Sequence, residues 1–485
     1  MLKRLGKDIA VYGVSDFFFK LLAFAVFPIY AQVFSVRDFG IIELVTVSSG
    51  LLGVLCGLGL NNAVQRFYWE PGTSRERQCT IVTMGLLLQC GVSMVLVILA
   101  LVGLYQFRYE LDAGYGISWM VTVLAVCSIV PSIALQFVLD VLRLHLSPWR
   151  YTAVAFLRNA LGTAVGLILI LVFGFGISGV FIGTLVAVML AFPFGLWMIA
   201  RDLHAKFDWE IAHTLFEFGY PFVFGGIAYW IFGSLDRWML AELSSVENVG
   251  LYGIAFKFAT IVMFVNTAFG QAWSPWAMKV RTERTDYLKV YSHVLSLWFL
   301  TLTFMGCILS LFSKELLIMT TPEAYWPAAN VLVIAIMGVV FLGTTQVTAL
   351  GISIEKRTRI FAVTAWLAAG ANFLLNLLLI PDFGALGAAA ATTLTYLGLS
   401  GTYLYWTQKL HPMPLEWPRL YGVFLAGILI IPIAWVLNRQ EIGLLMILVK
   451  MVIPICLMVV AWQQGFFKNS TSDLIGSRPS ASTAG

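Results

Sequence analysis

Residues 78–104 read QCTIVTMGLLLQCGVSMVLVILALVGL, a stretch that contains no charged side chain. A helix needs about 20 mostly apolar residues to cross a bilayer, because it rises about 1.5 Å per residue through about 30 Å of hydrocarbon. This stretch is therefore long enough to span a membrane. About fourteen segments of this kind occur along the chain, which predicts an all-α, polytopic membrane protein.

The composition of the whole chain argues against a soluble fold. Of its 485 residues, 60% are apolar and 11% are charged, whereas soluble domains carry about 25% charged residues. The net charge of +5 is spread over short loops without a Lys/Arg-rich run, so no nucleic-acid partner is expected. All six cysteines lie in or beside apolar segments without C-x-x-C spacing, so neither a metal nor a cofactor is expected.

The distribution of basic residues predicts the orientation in the membrane. With a cytoplasmic N-terminus, 21 of the 30 Lys and Arg residues fall on the inner side, 5 fall in outer loops and 4 lie within apolar segments. An excess of Lys and Arg in short cytoplasmic loops is the positive-inside pattern of membrane proteins. Because the number of segments is even, we predict that both termini are cytoplasmic.

The second half of the chain repeats the first at an offset of 208 to 210 residues. Three pairs of stretches carry the repeat: Val36–Ile41 with Val246–Leu251, Arg150–Tyr151 with Arg359–Ile360, and Phe175–Gly179 with Phe383–Gly387. The offset covers six predicted helices, an even number, so both copies keep one orientation. Parallel six-helix repeats with a cavity between them are a design of membrane transporters.

The repeat predicts how the chain is organised. An N-lobe of helices 1–6 is expected at residues 1–208, and a C-lobe of helices 7–12 is expected at residues 209–410. Helices 13 and 14 follow at residues 411–466, outside the repeat. The Ser/Thr/Gly-rich tail at residues 467–485 is predicted to be a disordered cytoplasmic segment.

Short motifs in both halves resemble those of one transporter family. Phe34–Gly40 reads FSVRDFG after the first helix, and Asn62–Glu70 reads NAVQRFYWE after the second. The unit formed by helices 7 and 8 carries Gly219-Tyr220-Pro221, Asp236-Arg237, Val249–Tyr252 and Lys257. Over essentially its whole length the chain resembles the polysaccharide transporters, or O-antigen-type oligosaccharide flippases, of the multidrug/oligosaccharidyl-lipid/polysaccharide exporter superfamily.

The resemblance implies a transporter and not an enzyme. The implied function is flipping of an undecaprenyl-diphosphate-linked oligosaccharide from the cytoplasmic to the outer leaflet by alternating access, for the biosynthesis of a surface polysaccharide such as lipopolysaccharide. The implied location is the bacterial inner membrane. The implied partners are this lipid-linked oligosaccharide, membrane lipids, a glycan polymerase and chain-length proteins, and the chain is expected to be a monomer.

Basic side chains within apolar segments are the candidates for binding the substrate diphosphate. A charge at the centre of a spanning helix costs about 2.5–3.5 kcal/mol, so each one needs an interior or hydrated environment. The candidates are Lys20, Arg158 and Lys257, together with Arg66 just beyond the second helix. Arg158 suits this role because a guanidinium can bond phosphate through two donors. Snorkelling to headgroups remains an alternative for Arg158 and Arg66, and an i,i+4 pair with Asp16 for Lys20.

Several other residues in the segments receive separate interpretations. Asp16 is a candidate ion-coupling carboxylate, because desolvation raises the pKa of an aspartate. Pro28 and Pro221 each lie in the first helix of a lobe and are hinge candidates, because proline removes a backbone donor and bends a helix. Asp140 is interpreted as an ordinary interfacial acid, and Lys450 as a structural or lipid-facing residue.

Two rival functions follow from the same residues. A cation-coupled drug or metabolite antiporter of the same superfamily would favour buried acids, whereas the segments here hold four basic residues. A membrane glycan polymerase or ligase would need a large extramembrane loop with catalytic carboxylates or histidines. None of the five histidines is paired with another at catalytic or ligand spacing, so the enzyme is the weaker alternative.

Overall fold

The computed structural model describes residues 2–203, 207–441 and 443–466. In the first helix, side chains are described for Ser15, Phe18, Phe19 and residues 21–33. Every regular element within the described ranges is a helix, which confirms the predicted all-α fold class. The tail predicted at residues 467–485 lies outside the described residues.

The helices follow one another with short connections. The first part of the chain forms α1 (Leu2–Val33), α2 (Val36–Gly57), α3 (Leu60–Tyr68), α4 (Arg75–Gln106), α5 (Arg108–Tyr115), α6 (Trp119–Cys127), α7 (Ile129–Leu144), α8 (Pro148–Leu171), α9 (Ile177–Ile199) and α10 (Trp209–Leu243). The rest forms α11 (Val246–Glu283), α12 (Tyr287–Leu311), α13 (Ser313–Thr320), α14 (Ala328–Thr348), α15 (Leu350–Ile354), α16 (Thr358–Leu410), α17 (Trp417–Arg439) and α18 (Leu444–Gln463).

These helices are long and apolar enough to cross a bilayer many times. Among the described residues, twelve stretches qualify by length and hydropathy, and the shorter apolar stretch Leu21–Val33 precedes them. One of the twelve, α16, has 53 residues, more than twice the length of about 20 that a bilayer requires. It is divided at Gly384, whose backbone (φ 54°, ψ −128°) is not helical. With this division and α1 included, the structure agrees with the fourteen predicted segments.

The chain separates into two compact units, residues 1–253 and 254–485. The first unit includes α10, because α10 packs against α2, α3 and α4. In the second unit, α14 packs against α12 and α16, and α12 packs against α17. The lobe boundary predicted at residues 208/209 is defined by the sequence repeat, whereas the two units are defined by packing. The lobe boundary therefore stays a prediction.

The two copies of the repeated Val-x-x-x-Gly stretch lie against each other within the first unit. A methyl group at Gly40 would overlap the carbonyl oxygen of Val246, and a methyl group at Gly250 would overlap the carbonyl oxygen of Val36. Only glycine permits helix backbones to approach this closely. Such a reciprocal contact is the pattern that a two-fold relation between two copies produces.

A buried ion pair attaches the last two helices to the rest of the second unit. Lys450 on α18 is 1% exposed, and its Nζ lies 2.6 Å from Glu315 Oε1 and 2.8 Å from Asn438 Oδ1. Asn438 on α17 donates in turn to Ser310 O at 3.1 Å and to Ser313 Oγ at 2.8 Å. Lys450 therefore has the geometry of a structural residue, because its charge is matched by a carboxylate within the helix bundle.

Candidate functional site

A break between α2 and α3 shapes one wall of a polar cavity. Leu58 (φ 48°) and Gly59 (φ 63°) both have left-handed backbones, and this conformation ends α2. The left-handed backbone at position 59 favours glycine. The close approach of α10 also requires it, because a methyl group there would overlap the carbonyl oxygen of Gly219. The close approach of α10 thus fixes the point at which the chain leaves α2 and starts α3.

The cavity lies between α3 and α7 in the first unit and has a volume of about 510 Å³. Its lining combines four side-chain amides, one carboxylate and one guanidinium with an apolar wall. The lining residues are Asn61, Asn62, Val64, Gln65, Gln136, Phe137, Asp140, Val141, Arg143 and Leu144. Because most of these side chains are polar although both helices belong to apolar spans, the cavity is suited to a polar ligand.

Asp140 is the centre of the hydrogen-bond network in this cavity. Asn61 Nδ2 donates to Asp140 Oδ2 at 2.6 Å, and Gln136 Nε2 donates to Asp140 Oδ1 at 3.2 Å. Arg143 Nη1 lies 3.4 Å from the same Oδ1 and supplies the opposite charge. The side chain of Asp140 keeps 26% of its surface exposed, so the carboxylate is held in place but still faces the cavity.

Arg158 on α8 is joined to this network through one amide. Its Nη1 donates to Gln136 Oε1 at 3.4 Å, and this contact, together with the bond to Asp140, fixes the orientation of the Gln136 amide. Arg143 is also held, because its Nη2 donates to Tyr151 Oη at 2.5 Å. Of the predicted diphosphate-binding residues whose side chains the structure describes, Arg158 is the one that is hydrogen-bonded to a residue of the cavity lining.

The other predicted cations are placed elsewhere. Arg66 is exposed on α3 and does not line the cavity. Lys257 is half-buried on α11, in the second unit. Lys20 and Asp16 belong to α1, but their side chains lie outside the described residues. The roles predicted for these four residues therefore stay predictions.

The predicted hinge residues lie within continuous helices. Pro28 is half-buried in α1, and Pro221 is exposed in α10. Each helix continues across its proline, so the hinge role of both residues remains a prediction. Among the described residues, no group of three or more His, Cys, Asp and Glu side chains is arranged to hold a metal ion.

Asp140 has more polar partners than its place at a helix end predicts. The sequence indicates an ordinary interfacial acid, whereas in the structure Asp140 anchors amides that line the cavity. One local signal was present, because Gln136 and Asp140 are four residues apart and therefore share a helix face. The decisive partner, Asn61, is 79 residues away in sequence, and only the fold brings it near.

Most of the chain is similar to known flippases and to multidrug transporters. Residues 5–281 match the family described as polysaccharide biosynthesis protein. One relative, the probable low-salt glycan biosynthesis flippase Agl15 of Haloferax volcanii, is 22% identical over 427 residues, which cover 86% of this chain and 87% of the relative.

Two groups of solved structures share the fold. The lipid II flippase MurJ, in an inward closed conformation, has a TM-score of 0.74 at 14% identity and covers 94% of this chain and 99% of its own. An inward-facing multidrug resistance MATE family transporter of the MOP superfamily has a TM-score of 0.61 at 13% identity and covers 81% of this chain and 93% of its own.

Proposed function

The chain belongs to the polysaccharide biosynthesis protein family, and on this premise we propose that it flips an undecaprenyl-diphosphate-linked oligosaccharide from the cytoplasmic to the outer leaflet. It is a multi-pass membrane protein and a flippase-type transporter of the MOP superfamily. The proposed location is the bacterial inner membrane, with both termini cytoplasmic. Alternating access, a monomeric state, and a polymerase with chain-length proteins as later partners belong to the same proposal.

The polar network around Asp140 is the observation that carries this proposal. A glycan cannot enter hydrocarbon without losing its hydrogen bonds to water, so its carrier must offer replacement partners inside the membrane. The amides of Asn61 and Gln136 and the carboxylate of Asp140 are such partners. Arg158 adds a positive charge beside them, which suits a substrate whose lipid linkage is anionic.

A deletion strain tests the function directly. We expect it to accumulate lipid-linked saccharide on the cytoplasmic face of the inner membrane, because the precursor is still made but is not moved. Accessibility of the glycan to a lectin in right-side-out and inside-out vesicles measures the sidedness. Normal export of every surface glycan in the deletion strain would contradict the proposal.

Two substitutions test the predicted cations. Arg158→Ala and Lys20→Ala should abolish export while leaving the amount of protein in the membrane unchanged. Arg439→Ala is the matched control, since Arg439 is exposed and stacks on Trp435 at 3.7 Å from the ring centre, far along the chain from the cavity. Unchanged export in both test variants would remove these residues from the site.

The alternative function is a cation-coupled drug or metabolite antiporter, which the shared fold of the MATE transporter accommodates. An organic cation would need an unopposed carboxylate, yet Asp140 already faces Arg143 at 3.4 Å. The two functions predict different phenotypes. Increased sensitivity to cationic drugs, with normal glycan export, would favour the antiporter.

A further inference from the structure

We propose that the cavity between α3 and α7 binds sugar rings of the substrate, and that the diphosphate is held elsewhere. This inference rests on the proposed function and assigns one part of the substrate to one set of side chains. The groups that define the site are the amides of Asn61, Asn62, Gln65 and Gln136 and the carboxylate of Asp140.

The balance of donors and acceptors in the cavity favours hydroxyl groups. A side-chain amide both donates and accepts hydrogen bonds, and a carboxylate only accepts them. A sugar hydroxyl can donate to Asp140 and accept from an amide at the same time. A diphosphate presents acceptors only, so it could not donate to Asp140 or to the amide oxygens of this cavity.

The charges of the cavity also disfavour a diphosphate. At 4 Å, two like charges repel by about 4 kcal/mol at an effective dielectric constant of 20, so an ionised Asp140 would oppose a phosphate inside the cavity. Arg143, the basic residue of the lining, already bonds Asp140 and Tyr151. Arg158 donates to Gln136 from beside the cavity and is not part of its lining, so it can meet a diphosphate held next to the sugar site.

The shape and remaining hydrogen-bond capacity of the cavity suit a sugar. Its volume of about 510 Å³ falls within the range of about 300–1,000 Å³ found for small-molecule sites. Val64, Val141 and Leu144 supply an apolar wall for the C–H faces of a ring. Asn61 Oδ1 is buried and accepts no hydrogen bond from the described residues, so the Asn61 amide has acceptor capacity that the fold leaves unused.

Two probes separate the parts of the substrate. A panel of methyl glycosides supplies sugar without phosphate, and farnesyl diphosphate supplies a prenyl diphosphate without sugar. Each probe is titrated into the purified full chain in lipid nanodiscs, and its apparent affinity is taken from the rise in the thermal unfolding midpoint. We expect both probes to stabilise the unmodified protein.

Variants of the cavity should affect only one probe. Asp140→Asn should weaken glycoside binding at least about tenfold, since a hydrogen bond to a charged group is lost, and should leave farnesyl diphosphate binding unchanged. Gln65→Leu provides a second test that leaves the Asp140 network intact, because Gln65 is an exposed lining residue. Asp286→Asn, at an exposed loop carboxylate paired with Arg284, is the control and should change neither affinity.

Two results would overturn the inference. One is that no glycoside of the panel stabilises the unmodified protein. The other is that the cavity variants weaken farnesyl diphosphate binding and spare the glycosides. Either result leaves the proposed function standing if the deletion strain accumulates lipid-linked saccharide, so failure of the inference and failure of the function can be distinguished.

Discussion

The two units of the chain carry the same kind of histidine–carboxylate pair in opposite order. In the first unit, His145 Nε2 lies 3.3 Å from Asp202 Oδ1. In the second unit, His411 Nδ1 lies 3.6 Å from Glu355 Oε1. Shifting His145 by 210 gives Glu355, and shifting Asp202 by 209 gives His411, so the two pairs occupy equivalent positions of the repeat.

Each histidine also has a tyrosine partner. Tyr68 Oη lies 3.0 Å from His145 Nε2, and Tyr287 Oη lies 3.0 Å from His411 Nε2. A histidine–carboxylate contact is therefore present in both copies of the repeat, with the acid and the histidine at exchanged positions.

The burial of each side chain in these pairs depends on its position in the repeat and not on whether it is an acid or a histidine. The later position is the more buried in both units, with 5% of the Asp202 side chain and 12% of the His411 side chain exposed. The earlier position is more open, at 19% for His145 and 41% for Glu355. The first unit must therefore stabilise a buried carboxylate, and the second must stabilise a buried imidazole.

The two units meet these needs differently. Arg75 Nη2 lies 2.5 Å from Asp202 Oδ1, so the buried carboxylate has a guanidinium partner besides the ring of His145. In the second unit, burial and the nearby positive charge of Arg281 lower the pKa of His411, although Glu355 acts in the opposite direction. A buried imidazole can remain neutral near pH 7, whereas a carboxylate cannot without a large pKa shift.

Removal of Arg75 should have the largest effect. Loss of one partner of a fully buried ion pair costs about 3–5 kcal/mol. Because the Arg75 side chain is 56% exposed and His145 remains, we expect Arg75→Met to lower the free energy of unfolding by about 2 kcal/mol. Reversible unfolding of the purified chain in detergent gives the measurement. A loss below 0.5 kcal/mol, about the value of a surface pair, would show that Asp202 does not depend on Arg75.

Exchange of the first pair tests whether the order of acid and base matters. Asp202→His alone places two imidazoles beside Arg75, and His145→Glu alone places two carboxylates together, so each should destabilise the protein. The double variant reproduces the order of the second unit. We expect a favourable coupling energy of about 1–2 kcal/mol in a double-mutant cycle, and additive losses would refute the equivalence of the pairs.

The comparison also shows what could be predicted from sequence. The uncharged run at 78–104 lies within α4, and the repeat matches the two stretches in which Gly40 approaches Val246 and Gly250 approaches Val36, although it did not predict that they touch. The two histidine–carboxylate pairs could not be found from the spacing between histidines, because neither histidine has another histidine as its partner. Each partner is a carboxylate on a distant segment, and such pairs arise from helix packing, as Asn61 and Asp140 do.

Acid should destabilise the folded protein through His411. Since the pKa of His411 is lowered in the folded state, the unfolded chain binds a proton first, and stability is lost as the pH falls below about 6.5. One proton changes the free energy of unfolding by at most about 1.4 kcal/mol per pH unit. His411→Gln should therefore flatten the stability curve between pH 7.5 and 5.5. An identical curve for the variant would exclude His411 as the source of the acid sensitivity.

The smallest effect is expected at Glu355. Its side chain is 41% exposed and its oxygen is 3.6 Å from the imidazole, so Glu355→Gln should cost about 0.5 kcal/mol or less at pH 7.5. The same substitution removes the group that raises the pKa of His411, so the acid loss should still begin near pH 6.5 but extend to a lower pH and become larger. Unfolding of both proteins at pH 7.5 and 5.5 separates the two effects. If Glu355→Gln cost as much as Arg75→Met, the more exposed residue of the second pair would contribute as much stability as the guanidinium partner of the buried Asp202. The difference in burial would then not explain the difference between the units.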